Sequence, residues 1–379
     1  MIYFDNAATG GKKPAAVVGA VTAAVAGLCA NPGRSGHAAS VAAAENVLRC
    51  RKLLCRFFGG ESWERVIFTK NCTEALNAAI FGIAANARGP VHFVTTEAEH
   101  NSVLRPLAAL ERAGRAEVSV VPVRDGRVRP EDIAAAVRED TAAAVFTLAS
   151  NVTGAAIDPA AVRALLPERV LTVCDGAQAC GHVPVRMRAA GIDALAVAGH
   201  KGMHGIQGAG ALLLSSRCDP APLLFGGTGS ASRDAAMPGF YPDRLEAGTL
   251  CYPAIVSLAE GTLYLQAHMA QARKKVTALT ERLVRGLETI AGVRVRSQPN
   301  PFGIVAFACE TLQSELFAQI LSDRYDIAVR GGLHCAPRMH AALGTEDGLV
   351  RASLSEFNTA AEADRFLSAA RAVAGGAEG

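Results

Sequence analysis

The chain has 379 residues, half of them apolar and 19% charged, a soluble-enzyme composition with room for one large domain and a smaller one. A net charge of +3, with both signs mixed along the chain, leaves no basic face and excludes nucleic acid as an expected partner. No segment is apolar and long enough to span a bilayer. Ten cysteines without a CxxC pair point to reduced thiols in a cytoplasmic protein, and no Cys/His group has metal-ligand spacing, so no metal is expected.

Residues 12–30, KKPAAVVGAVTAAVAGLCA, set two lysines before an apolar run, as a secretory signal does. The run is mostly Ala, and eleven structured-looking residues precede it. An amphipathic or buried helix is therefore expected, without export. Short apolar runs then alternate with helix-like stretches. RVIFTK (65–70), PVHFVTT (90–96), AEVSVVPV (116–123), AAAVFTLAS (142–150) and RVLTVCDG (169–176) predict buried strands. Helices are predicted at 72–87 and 130–140. This rhythm indicates a largely parallel sheet with helices on both faces. Two later runs, 193–199 and 208–215, lie too close for a crossover helix and predict an antiparallel pair. After about residue 250 the texture changes. A long helix over 253–291, strands in GVRVRSQ and FGIVAFAC, a helix over 312–324 and the segment IAVRGG predict a smaller α+β unit. The expected organisation is a large domain over 15–250 and a small one from 1–14 and 251–379.

In an open α/β sheet, ligands bind beyond the carboxyl ends of the strands. Several polar residues fall there. Asp175 follows RVLTVC, Asn151 follows VFTLAS, His100 follows HFVTTEAE, Lys201 follows ALAVAGH, and Thr73 opens a helix after RVIFTKNC. An amine, a carboxylate, an imidazole and a helix N-terminus together suit pyridoxal phosphate. The amine links to its aldehyde, the carboxylate keeps its ring nitrogen protonated, and the helix start takes its phosphate. Each residue taken alone has a blander reading. Lys201 would be a solvated loop charge, Asp175 and His100 caps, Asn151 a turn residue, Thr73 an N-cap, Arg351 a surface ion-pair residue, and Cys335 an inert small residue.

The motifs YFDNAATG, NPGRSGH, TEALN, EHNSVLRPL, SNVTGA, CDGAQACGHVPV, GHKGMHGIQGAGALLL, GGTGS, LEAGT, RGGLHCAP and VRASLSEFNT run in order from residue 3 to 359. In them the chain resembles the cysteine desulfurase branch of the class V aminotransferase-like pyridoxal phosphate enzymes. The resemblance implies an α/β chain of the PLP-dependent transferase fold (fold type I), with a large, mainly parallel seven-stranded-sheet domain and a smaller α+β domain. It assigns Lys201 as covalent anchor of the cofactor, Asp175 as partner of the ring nitrogen, and Gln178 as partner of the phenolic oxygen. His100 stacks on the ring and shuttles protons. Asn151 lies near both cofactor and substrate carboxylate. Cys72, Thr73, its neighbouring backbone and His200 hold the phosphate. Thr228 reaches the phosphate of the other subunit, which implies a homodimer with shared sites. Arg351 clamps the substrate carboxylate, and Asn6 and His37 lie near the substrate end.

The same resemblance implies conversion of L-cysteine to L-alanine, with sulfur passing to Cys335 as a persulfide and on to a sulfur-acceptor protein. His334 is the candidate cation beside that thiolate. Two positions depart from the family pattern: Ala198 stands where a phosphate-donating Ser or Thr is usual, and Cys72 stands where a small residue is usual. A selenocysteine lyase, or another class V aminotransferase or lyase acting on a small amino acid, remains an alternative. So does a catalytically silent binding protein. A nicotinamide dehydrogenase is disfavoured, since no strand is followed by GxGxxG.

Overall fold

The computed structural model describes residues 1–27, 29–33 and 35–376. Leu28, Arg34 of the NPGRSGH motif, and the last three residues of the expected small domain lie outside the described residues. The chain opens with β1 (Ile2–Tyr3), α1 (Ala15–Ala26) and α2 (Ala38–Phe58). Strands β2 (Val66–Thr69), β3 (Val91–Thr96), β4 (Ala116–Val121), β5 (Thr141–Thr147), β6 (Leu171–Asp175), β7 (Ala194–Ala198) and β8 (Gly210–Leu214) follow. Between them run α3 (Cys72–Ala85), α4 (Asn101–Arg112), α5 (Pro130–Ala135), α6 (Pro159–Leu165) and α7 (Met187–Ala190). The remainder comprises α8 (Tyr252–Glu288), β9 (Val293–Val295), β10 (Ile304–Cys309), α9 (Ser314–Tyr325), β11 (Ile327–Ala328), α10 (Pro337–Leu343), β12 (Val350–Ser353) and α11 (Ala360–Ala374).

The large sheet has the order β2-β8-β7-β6-β5-β3-β4. Its neighbours from β4 to β7 pair in parallel, while β8 runs antiparallel to both β7 and β2. The short gap between residues 199 and 208 thus makes the antiparallel pair that its length predicts. Both faces of the sheet are covered, which is why its strands read as unbroken apolar runs. Alternation decides the rest: Phe68, Phe146, Leu195 and Leu213 enter the core on one face, and Ile67, Val145, Ala196 and Leu212 the core on the other.

A third core gathers Phe4, Leu283, Phe307, Phe317 and Phe366. The first half of α8 packs Ala254, Ile255 and Leu258 into the sheet core, and its second half packs Leu279, Leu283 and Leu287 into this third one. The extreme N-terminus belongs to the same region, for β1 pairs in parallel with β11. A separate sheet, β12-β10-β9, completes it.

Some elements differ from the expected bounds. The helix predicted over 130–140 ends at Ala135, because Thr141 Oγ1 accepts from Arg138 N at 2.7 Å and turns the chain into β5. Helix α1 buries only Val17 and Ala24, leaving Val18 and Val25 exposed, so it is a surface helix packed along α8. Among the described residues, no helix is long and apolar enough to cross a membrane.

Candidate active site

The carboxyl ends of β5, β6 and β7 open into a cavity of about 220 Å³. Its walls carry Lys201, Asp175, Gln178, His100, Asn151, Arg351, Arg330 and the start of α3 at Asn71, Cys72 and Thr73. Asp175 is the last residue of β6, and β7 pairs beside it with Ala196 opposite Asp175. The loop after β6 and the loop bearing Lys201 must pass each other closely. Gly181, at φ +91°, makes this possible, since a Cβ there would come 2.2 Å from the carbonyl oxygen of Gly202.

Burial lowers the Lys201 amine from its ordinary value, and Asp175 opposes that by attraction. The shift favours the neutral, nucleophilic amine. Asp175 is 3% exposed and its Oδ1 accepts from Ala177 N at 2.9 Å. The Cys72 thiol lies 3.4 Å from the same oxygen as a donor, and burial pushes that thiol well above its ordinary value. Cys72 therefore stays protonated. Gln178 is buried with its Nε2 donating to Ala7 O at 3.0 Å, which leaves its carbonyl oxygen outside that bond.

His100 caps α4, so its bland reading and its functional one coincide. Its Nδ1 accepts from Ser102 N at 3.0 Å and contacts the Ser102 hydroxyl. An accepting Nδ1 assigns the proton of the neutral ring to Nε2. Burial holds the imidazole down to about 4, so the ring is neutral at physiological pH. His200 also lines the cavity, is held down to about 4 by burial, and pairs its Nδ1 with Thr9 Oγ1 at 3.1 Å.

At α3 the N-cap is Asn71, whose side chain accepts from Glu74 N at 2.9 Å. This corrects the bland reading of Thr73 as the cap. Thr73 is instead the second helical residue, with its hydroxyl free for a ligand at the positive end of the helix dipole.

Arg351 is 1% exposed on β12. Its Nη1 donates to Asn151 O at 2.8 Å, its Nη2 pairs with Asp5 at 3.2 Å, and its buried Nε has no partner. Cys335 follows the lining residue His334 in the chain and is half-buried, with Nη2 of Arg330, which is on the cavity wall, 3.8 Å from its sulfur. His334 and Cys335 both take left-handed backbone, at φ +50° and +59°. That conformation is held from outside: Asn151 Nδ2 donates to His334 O at 2.6 Å, and Asn101 N to Cys335 O at 2.7 Å.

His334 does not supply the cation expected beside the thiolate. It is 2% exposed, bonded through Nε2 to Leu349 O at 3.0 Å, and held down to about 2 by burial. The neighbouring cation is Arg330. Strand pairing brings it there, through a bridge between Arg330 and Arg351 that no sequence spacing reveals.

Besides Cys335, three sequence-predicted residues lie outside the lining of this cavity. Asn6 bonds Ser353 O at 2.9 Å and Tyr3 O at 3.2 Å, immediately before cavity residues Ala7 and Ala8. His37 caps α2 through Ser40 N at 3.3 Å. Thr228 lines a separate cleft with Asn31, Pro32 and Gly33. Ala198 lines the cavity and offers no side-chain donor. Sequence reasoning missed Arg330, Asn71 and Ser102. The cap spacing of Asn71 ahead of Glu74 was the one available signal.

A ring aldehyde with a phosphate fits this donor set. The cavity offers one desolvated amine, one buried carboxylate, a neutral imidazole and a helix N-terminus, and it holds a buried guanidinium nitrogen without a partner. All ten cysteines are free thiols.

Residues 2–366 match the family Aminotransferase class-V. The chain is 34% identical over 396 residues to a probable cysteine desulfurase of Aeropyrum pernix, covering 97% of this chain and 93% of that protein. It is 32% identical over 371 residues to a probable cysteine desulfurase of Methanothermobacter thermautotrophicus, covering 95% and 92%. The apo structure of a cysteine desulfurase from Thermococcus onnurineus superposes with a TM-score of 0.90 at 28% identity, covering 99% of this chain and 95% of that one.

Proposed function

The chain belongs to the aminotransferase class-V family, in its cysteine desulfurase branch, and on that premise we propose that this cavity converts L-cysteine to L-alanine and hands the sulfur to Cys335. The observation that carries the reading is the meeting of Lys201 and Asp175 at the ends of adjacent parallel strands, in one cavity with His100. Pyridoxal phosphate fits there: Lys201 would anchor it covalently, Asp175 would pair with its ring nitrogen, Gln178 would bond its phenolic oxygen and His100 would contact its ring. Thr73, the backbone at Cys72, and His200 would hold its phosphate, with Thr228 of a second subunit completing the cup in a homodimer. When bound, the cofactor draws electrons away from the substrate's α-carbon.

The side chains do the rest. Arg351 lines the cavity with its buried Nε unpartnered, so a substrate carboxylate gains a charged donor that is already desolvated. Asn151 braces that arginine through its carbonyl, and Asn6 and His37 would contribute to substrate binding from outside the cavity lining. Lys201, whose amine burial lowers from its ordinary value, takes the Cα proton of L-cysteine. His100 Nε2 is the available donor for returning a proton. The Cys335 thiolate attacks the substrate sulfur: an S–S bond forms as the Cβ–S bond breaks, the former Cβ gains a proton, and L-alanine leaves. Arg330 places positive charge beside the sulfur at the moment it must be anionic.

Cys335 sits in a turn pinned at two carbonyls, so the sulfur acceptor must come to it. A sulfur-acceptor protein or a small thiol fits that requirement. Ten free thiols accord with a reducing, cytoplasmic setting.

Purified protein loaded with pyridoxal phosphate, given L-cysteine and a reductant, should release alanine and sulfide in equal amounts. Cys335→Ala should abolish sulfide release while keeping the visible cofactor band. Undiminished sulfide from that variant overturns Cys335 as acceptor. L-selenocysteine run in parallel separates a selenocysteine lyase, which would turn over that substrate alone.

A further inference from the structure

The N-terminal segment from Tyr3 to Lys13 lines the active site at Ala7 and Ala8 and is bonded to β12, to Gln178 after β6 and to His200 after β7. Asp5 pairs with Arg351 at 3.2 Å, Ala7 O accepts from Gln178 Nε2 at 3.0 Å, and Ala7 N donates to Ser353 Oγ at 2.9 Å. Its densest attachment falls on a single atom, the carbonyl oxygen of His200. That oxygen accepts from Gly10 N at 2.9 Å, from Lys13 Nζ at 2.9 Å and from Thr9 Oγ1 at 3.4 Å. The peptide unit so gripped joins His200 to Lys201, the two cavity-lining residues whose side chains leave on either side of it.

Lys13 is an unusual donor in that place. It is half-buried, and burial alone lowers its amine to about 8. An amine held out of water against a neutral carbonyl loses hydration without gaining a carboxylate partner. Purely structural contacts of a lysine put its stem on apolar surface and its head in water. Here the head faces inward.

We propose that Lys13 is a positioning residue for the reaction: its amine fixes the His200–Lys201 peptide, and through it the aim of both side chains at the cofactor. This rests on the reading of Lys201 as the cofactor's anchor. The substrate clamp is untouched by it, because Arg351 is held separately, by Asp5 and Asn151.

The test compares wild type, Lys13→Met and Lys13→Arg, each loaded with pyridoxal phosphate. Two quantities are read: the rate of cofactor release on dilution, from the visible band, and kcat against KM for L-cysteine. Lys13→Met should release cofactor about tenfold faster and lose about tenfold in kcat, the size expected for one lost hydrogen bond from a charged donor. Its KM should stay within about twofold, since the carboxylate clamp is intact. Lys13→Arg keeps a charged donor and should recover most of both losses. The two variants behaving alike, in either direction, overturns the proposal, as does a change confined to KM. Absence of any visible band in the wild type would strike at the anchor assignment of Lys201 instead, which separates the two failures.

Discussion

Lys201 and Cys335 are the two reactive ends of this site, and the molecule positions them by different means. Lys201 stands three residues beyond β7, inside a sheet whose strands are buried on both faces. Its place follows from strand pairing and from glycines that let two loops touch. Cys335 belongs to no regular element. It follows another left-handed, non-glycine residue, and each such residue costs on the order of 1 kcal/mol. The turn persists because Asn151 and Asn101, from the large sheet's side, take its carbonyls. Lys201 is thus placed by strand pairing, with the N-terminal segment bonded to its peptide, whereas Cys335 is held by contacts from distant chain alone. Such a turn presents its sulfur at a fixed point, with the Arg330 guanidinium beside it.

The comparison breaks most plainly at Lys201. Lys201→Ala should remove the visible cofactor band and lower desulfurase turnover by at least roughly a thousandfold. A variant that kept both would dissolve the difference between the two ends. Asn151→Ala should sharpen it. That change strips a donor from the His334 carbonyl while leaving the Lys201 loop alone, and one buried carbonyl left unpaired is worth ~1–3 kcal/mol. Sulfide release should fall by about tenfold or more while the band at Lys201 keeps its wavelength. Equal effects on both readouts would show the two regions to be one mechanical unit.

The smallest expected effect lies on the sheet side. Glu99 is wholly buried, accepts from Thr147 N at 3.0 Å and from Thr96 Oγ1 at 2.6 Å, and burial raises its carboxyl to about 8. The native state keeps a proton that the unfolded chain gives up above its ordinary value of 4.5. Stability is therefore fully present below pH 4.5 and is lost as pH rises toward 8. Glu99→Gln mimics the neutral acid. It should unfold at the same temperature as wild type near pH 4 and at a higher one at pH 8. The same melting temperature at pH 8 would mean that Glu99 is ionised in the fold.

Most of the sheet could be read from the chain, because a strand buried on both faces leaves an apolar run bounded by turns. RVLTVCDG and DALAVAG became β6 and β7 in this way. Asp175, His100, Asn151, Lys201 and Thr73 were legible for the same reason: a polar residue just past such a run sits where the sheet opens. The shorter elements were harder. Strand β12 is four residues inside VRASLS, and its partner β10 is some forty residues earlier, so the periodicity available to either alone was slight. Proximity in sequence makes His334 the candidate cation beside Cys335. In the fold that imidazole turns inward to the Leu349 carbonyl.

The sequence by itself determined the sheet, its helices, and the residues delivered at strand ends, because hydrophobic periodicity and chain direction are local properties. The tertiary structure alone decided which of two nearby basic residues meets the reactive sulfur, and what holds a left-handed turn in place. It also decided that an N-terminal lysine grips the peptide before Lys201. These depend on atoms brought together across up to about two hundred residues of chain, and hydrogen-bond geometry at that range leaves no spacing to read.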